Sequence, residues 1–334
     1  MKKKFLLGLL IVCGAIPLYA QTDLLKMIDS IAPTPKHDKI TAPFKTTRLV
    51  NLQTTQTEGK GILDFRIAHR FSDAGVASNG GVHTLYGLDV LSDVRFSLDY
   101  GITKKLQVGI GRSVQMENVD ASLKYKIIEQ TTDNDVPLSI TAYEIASITP
   151  EKSSQFYSGT DSAWIQKNNT ILNRLTYTTQ IILSKKIGRI SLIVAPTFNH
   201  RNYILSQVNT VTNGSHSRAE ADANNIPALA MGFRIRITRS FSIIADYFYV
   251  MSAYRKNNTV HPYYNPISIG TEIETGGHVF HFTLTNASGI TENYFIPNSP
   301  DSWVKGGFKL GFDISRGFSM GKKADKLKPW DDAK

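Results

Sequence analysis

The sequence predicts an all-β protein: a single antiparallel transmembrane β-barrel of about 12 strands, with about 10 or about 14 as alternatives. Three observations lead there. Apolar and polar residues alternate along repeated segments of the roughly 9–11 residues that a tilted strand needs to cross a bilayer. Beyond the first stretch no apolar run approaches the roughly 18 residues of a membrane helix. Short turns and long loops follow one another along the chain, with turns on one side and loops on the other.

The chain of 334 residues opens on Lys2-Lys3-Lys4, an apolar run from Phe5 to Val12, and Leu18-Tyr19-Ala20 before Gln21. A basic start, a short apolar run and a small residue at the cut make a secretory signal peptide over 1–20, cleaved near Ala20, with Ala15 as the alternative. Cys13, the one cysteine, falls inside it, and Val12 ahead of it is too large for a lipoprotein cut. The mature chain then has no thiol, which excludes disulfides, thiolate metal sites and cysteine nucleophiles. Residues 21–46 read as a periplasmic segment: a short amphipathic stretch, Leu24-Leu25-Lys26-Met27-Ile28, and a linker broken by Pro33, Pro35 and Pro43. The barrel domain is expected over 47–318, and the polar tail 319–334 on the periplasmic side. Residues 47–55 leave three readings open: a thirteenth strand, a periplasmic hairpin, or a plug formed with the strand at 62–72.

Strands are expected near 62–72, 92–101, 104–113, 121–130, 136–146, 172–185, 189–203, 226–239, 241–252, 266–275, 277–286 and 304–316. Phe308, Leu310, Phe312 and Ile314 alternating with Lys309, Gly311 and Asp313 illustrate the pattern. Short turns fall at 102–103, 132–135, 186–189, 239–240 and 276–277, and longer loops at 73–91, 114–120, 147–171, 204–225, 253–265 and 287–303. An even strand count puts both termini on the short-turn side, the periplasm of a Gram-negative envelope. A soluble β-sandwich also alternates, but the export signal and polar faces rich in Gly, Ser and isolated charges favour the membrane. Tyr100, Tyr177, Tyr247, Tyr249 and Trp303 suit an interfacial girdle.

The stretch from 60 to 130 carries a resemblance. His69-Arg70-Phe71, Tyr86-Gly87-Leu88-Asp89, Asp99-Tyr100-Gly101, Val108-Gly109-Ile110-Gly111-Arg112-Ser113 and Lys124-Tyr125 resemble a family of Bacteroidetes-type outer-membrane barrels catalogued as domain of unknown function 5777. The similarity runs from about Lys45 to Phe318 and is most specific in the first four strands. It departs at Ser72-Asp73, where the family has a glycine. It implies an outer-membrane β-barrel and brings no substrate or catalytic residue.

Alternation sends one set of side chains into the lumen. The basic members are Arg66, Arg70, Arg95, Lys124, Lys126, Arg174, Arg234, Arg236 and Lys309; the acidic ones are Asp64, Asp99, Asp246, Glu272, Glu274 and Asp313. Of these, Arg66, Arg70, Arg95, Asp99, Lys124, Arg234 and Arg236 are the candidates for selectivity or plugging. Such dense mixed charge in a narrow barrel suggests a partly filled, salt-bridged interior, because an open aqueous channel usually needs something like 16 strands. The slight basic excess favours small anionic solutes at most.

Other chemistry finds less support. His278 and His281, three apart on a strand, point to opposite faces and do not make a metal pair. His200, His216 and His261 are scattered over outer loops. Gly109 and Gly111 lack the third glycine of a dinucleotide fingerprint and suit close packing in the wall. No basic stripe with stacking aromatics suggests nucleic acid, and no cofactor is implied. A barrel-borne hydrolase would have to draw on Ser72, Asp73, His69 and His83. The leading expectation is therefore a non-enzymatic integral outer-membrane barrel, in contact with outer-membrane lipid, for passive small-solute passage or envelope assembly. The alternative is a closed structural barrel that binds another envelope protein.

Overall fold

A computed structural model describes residues 38–40, 43–75, 80–156, 165, 169–204, 208–213 and 216–321. The expected signal peptide, Cys13, the amphipathic stretch at 24–28 and the end of the tail lie outside them. Apart from Asp38, the described residues fall in one compact unit, Lys39–Lys334.

The strands are β1 (Ile62–Asp73), β2 (Leu91–Gly101), β3 (Leu106–Ser113), β4 (Val119–Ile128), β5 (Ser139–Ile148), β6 (Leu175–Ile187), β7 (Ile190–Arg201), β8 (Val208–Asn213), β9 (His216–Ala221), β10 (Asn225–Arg236), β11 (Phe241–Val250), β12 (Ile267–Thr275), β13 (His278–Thr285) and β14 (Lys309–Ser319). Twelve of them close into an antiparallel barrel, while β8 and β9 form a separate hairpin. The twelve are the strands expected from alternation, with ends displaced by a few residues. The seam pairs β1 with β14, Ile67 opposite Ile314. Closure leaves no edge strand, which a backbone surrounded by hydrocarbon requires.

The loop rhythm also holds: tight connections such as 188–189 and 276–277 lie at one end, and long segments such as 149–174, 202–224 and 286–308 at the other. The loop at 204–225 differs from expectation, because part of it pairs as β8 and β9. Arg174, expected in the lumen, precedes β6 and sits among the long loops, where its Nη1 donates to the carbonyls of Thr149 (2.8 Å) and Glu151 (2.6 Å).

The two faces of the wall follow the period-two pattern. Outward side chains such as Ile110 (59% exposed), Phe282 (51%) and Leu123 (48%) make an apolar band that no described residue covers. Inward side chains divide the lumen into two halves. Tyr143 and Ile145 of β5, Ile182 of β6, Ile193 and Ala195 of β7, Ile226, Ala228 and Ala230 of β10, and Ile244, Phe248 and Val250 of β11 make an apolar wall. Asp64, Arg66 and Arg70 of β1, Asp93 and Arg95 of β2, Lys124 of β4, Glu272 of β12, His281 of β13 and Lys309 and Asp313 of β14 make a charged one.

Residues 47–55 settle among their three readings: they form no thirteenth strand and instead fill the lumen, joined there by 43–46, which were expected in the periplasmic segment, and by 56–57. Leu49 donates its amide to the carbonyl of Leu52 (2.8 Å), and Thr54 its amide to Thr47 (2.9 Å), a tight hairpin turned over at 49–52. Phe44, Leu49, Val50 and Leu52 are almost wholly buried, against the apolar wall. Gly232 on β10 leaves room for this, since a Cβ there would meet the side chains of Leu49 and Leu52. From the long-loop side, the segment between β13 and β14 turns inward through a one-turn helix, Glu292–Phe295. Phe295 there packs edge-on against Phe248, centroids 5.0 Å apart.

Because Leu49 is fully buried with its partners fixed in the wall, Leu49→Ala should leave a cavity. We expect a loss of about 2–5 kcal/mol, read as a lower urea midpoint of the detergent-folded protein.

Candidate functional site

The site is the interior where hairpin, inward loop and charged wall meet. Its best-determined feature is a carboxylate that receives three consecutive amides. Asp246 Oδ2 accepts from the backbone N–H of Val50 (3.1 Å), Asn51 (2.6 Å) and Leu52 (3.0 Å). A buried turn needs such a partner, because its amides have neither a strand neighbour nor bulk water. Asn51 fixes the same turn laterally, its Nδ2 donating to Ser268 Oγ (2.8 Å).

A second set of contacts joins the hairpin to the inward loop. Arg48 Nη2 lies 2.7 Å from Glu292 Oε1 and Arg48 Nη1 donates to the carbonyl of Ile290 (3.0 Å). Gln53 Nε2 donates to the same Glu292 oxygen (3.0 Å). Burial draws the Arg48 guanidinium down and the neighbouring Glu292 more than restores it, so its pKa ends above the ordinary arginine value. The loop is in turn held by the wall. Ile290 donates its amide to Asp93 Oδ2 (3.0 Å), and Arg70 Nη1 donates to the carbonyl of Ala287 (3.0 Å).

The residues singled out from sequence divide by location. Arg66, Arg70, Arg95, Lys124 and Arg234 face inward and are buried. Lys124 Nζ donates to the Thr47 carbonyl (2.8 Å) and to Gln53 Oε1 (2.9 Å), so it anchors the hairpin. Arg95 holds Asp120 with both Nη atoms, and its guanidinium lies across Gly111, where a Cβ would collide with it. Gly109, similarly, sits where a Cβ would meet Asp99 and Ser122. Arg234 Nε pairs with Glu272 (2.7 Å), and His281 Nε2 approaches the other oxygen of that carboxylate at 3.4 Å. Asp64 and Asp99 stand directly opposite each other in the β1–β2 register, with Arg66 Nε 4.0 Å from Asp64. Arg236 is half-buried. Arg112 is exposed on the outer face, 3.8 Å from Glu117, and His69 also faces outward, its ring 6.4 Å from that of Phe71.

A cavity of about 30 Å³ lies between hairpin and charged wall, lined by Arg48, Arg66, Arg95, Asp99, Tyr143 and Asp313 among others. That is room for about one or two water molecules. Among the described residues no cluster of His, Cys, Asp or Glu has the arrangement of a metal site. Of the hydrolase set, Asp73 is held by Lys309 and His69 points outward beside Phe71.

Sequence reading missed Arg48, Gln53 and Glu292, which join the two inserted segments. The signal for the loop was present: Ile290, Phe295 and Ile296 are large apolar residues in a connection that otherwise needs none.

A family model described as a membrane-bound β-barrel domain (DUF5777) matches residues 44–318. No curated protein matches the chain. Similar solved structures include the NanC porin, at 8% identity over 78% of this chain and 100% of that one, with a TM-score of 0.42. The COG4313 outer membrane channel from Pseudomonas putida F1 is 12% identical over 79% of this chain and 98% of that one, with a TM-score of 0.42. Omp33 from Acinetobacter baumannii is 8% identical over 77% and 97%, with a TM-score of 0.36.

Asp246→Ala should leave three buried amides unsatisfied at about 1–3 kcal/mol for each group, read as faster hydrogen exchange at Val50, Asn51 and Leu52. Glu58, where the hairpin leaves the lumen, gives a pH dependence. Burial, then Asp64 and Asp99, push its carboxyl from 4.5 up to about 8. The folded state therefore holds the proton more tightly than the unfolded one, and stability should fall as pH rises from about 4.5 through about 8. Urea midpoints across that window should flatten in Glu58→Gln.

Proposed function

The chain belongs to the family of membrane-bound β-barrel domains (DUF5777) and, as a closed barrel with an apolar outer band, is an outer-membrane protein; from that premise we propose that it is a barrel closed at rest, serving the envelope as a structural or partner-binding element. Its turns and both barrel ends face the periplasm and its long loops face outward, as in other outer-membrane barrels. The outward band contacts outer-membrane lipid, and the partner is another envelope protein met at the loops or the N-terminal segment.

One observation supports this reading above the rest: the lumen is occupied by residues 43–57 from one end and by the β13–β14 segment from the other. Each is fastened by buried hydrogen bonds and joined to the other at Glu292. The cavity left between the hairpin and the charged wall has room for only about one or two waters. The wall charges lie in pairs or against the inserted segments, as Arg234 with Glu272 and Asp93 with the Ile290 amide, and so they organise the filling of the barrel.

A second reading is conditional passage of small anionic solutes. Its support is that both inserted segments meet at a single carboxylate, so withdrawal of either releases the same ion pair and bares the arginines of the charged wall.

Conductance of the purified full-length protein in planar bilayers tests this. We expect a silent wild type, whereas steady open-channel steps in the wild type would overturn the closed reading. Intermittent openings in Glu292→Gln would favour conditional passage; silence there too would favour the structural barrel.

A further inference from the structure

Above the β1–β2 side of the rim, residues 80–91 form a compact loop with an unusual surface. Val82 is 71% exposed, Leu85 54%, Tyr86 55%, Leu88 42%, Val90 50% and Leu91 54%. The backbone beneath them is tied down. Tyr86 donates its amide to Gly81 (2.6 Å) and Gly87 to Thr84 (2.9 Å), while Ser72 at the end of β1 donates to Val90 (2.8 Å) and Gly87 (3.2 Å). Leu85 and Tyr86 both adopt the left-handed conformation, φ +46° and +54°. Side chains with a Cβ take up that conformation at a cost, and two in succession hold their apolar groups outward with no burial in the chain to offset it. Strain spent on displaying apolar surface indicates that the surface meets an apolar medium.

The neighbouring wall identifies that medium. Leu91 stands opposite Phe71, just past a register shift in the β1–β2 pairing, and is 54% exposed. Further along β2, past the partly exposed Val94, Phe96 (46% exposed) and Leu98 (37%) belong to the lipid-facing band. Val114, 64% exposed, adjoins it from the next loop, its amide bonded to the carbonyl of Val94. The 11 residues of β2 suffice to cross the hydrocarbon, so Leu91 ends at its edge and the loop lies at the interface. Within 80–91 Asp89 is the one residue with a formal charge at pH 7.

We propose that residues 80–91 form a lipid-seated flange, in which Val82, Leu85, Tyr86, Leu88 and Val90 rest in the acyl boundary of the leaflet around the rim and fix that side of the barrel against it. The inference rests on the membrane-barrel reading and goes beyond it. The closed state of the lumen does not enter.

Single-cysteine variants Val82→Cys and Leu88→Cys, each in a Cys13→Ser background, carry an environment-sensitive fluorophore in phospholipid vesicles. Two further sites calibrate them: Ile110→Cys in the lipid-facing band and Val260→Cys in another long loop, 76% exposed. We expect labels at 82 and 88 to be quenched by a nitroxide lipid labelled near its headgroup and spared by aqueous iodide, with emission shifted to the blue of the label at 260. Iodide quenching equal to that at 260 would overturn the flange. Shielding from both quenchers would also overturn it and point to a second copy over the loop. Failure of lipid quenching at 110 would instead count against the barrel's placement in the membrane, which keeps the two readings separable.

Discussion

Asp246 Oδ2 receives the amides of Val50, Asn51 and Leu52 between the buried Ile244 and Phe248 of β11. That contact governs what the barrel is. A hairpin can enter a lumen only if its turn, which has no strand beside it, finds acceptors there. One carboxylate supplies three, and it also sets the depth at which Leu49 and Leu52 meet Gly232 and the aliphatic wall. With the hairpin fixed, Lys124 and Gln53 find each other, Arg48 is delivered to Glu292, and the inward loop acquires its floor.

The same constraint explains why the interior has two halves. Inserted chain brings both apolar side chains and polar backbone, so it needs a greasy surface for the former and donors and acceptors for the latter. Strands β5 to β11 give the first and the strands flanking the seam give the second. Ion pairs such as Arg95–Asp120 and Arg234–Glu272 then serve mainly to keep charge tolerable where water is scarce. Gly111 lets Arg95 lie flat on β3. The outer face shows the opposite economy. Apolar side chains stand uncovered along most of the barrel strands, and at residues 80–91 they are exposed beyond the end of the wall on a backbone strained to hold them there.

Much of this was legible in the sequence, and particular residues show why. Leu310, Phe312 and Ile314 against Lys309, Gly311 and Asp313 announce a strand with lipid on one side, because a period of two in a strand maps directly onto its two faces. The inward direction of Arg66, Arg70, Arg95 and Lys124 follows from the same count. Arg174 was misplaced because the count was carried past the end of its strand, into a loop where alternation no longer fixes direction. Hairpin 43–57 could not be placed: it has no period, and its anchors are remote, Asp246 lying 196 residues from Val50 and Glu292 lying 244 from Arg48.

By itself, then, the sequence determined the barrel, its twelve strands, the sense of each face and the side on which the long loops lie, since all of these are set by near neighbours under a period imposed by lipid. The mixed inward charge already suggested a partly filled lumen, but which segments fill it was decided only by tertiary structure. That outcome depends on a carboxylate, a glycine and a guanidinium from distant strands and loops converging on one turn. Convergence of that kind is a property of barrel closure and register, which no local pattern encodes.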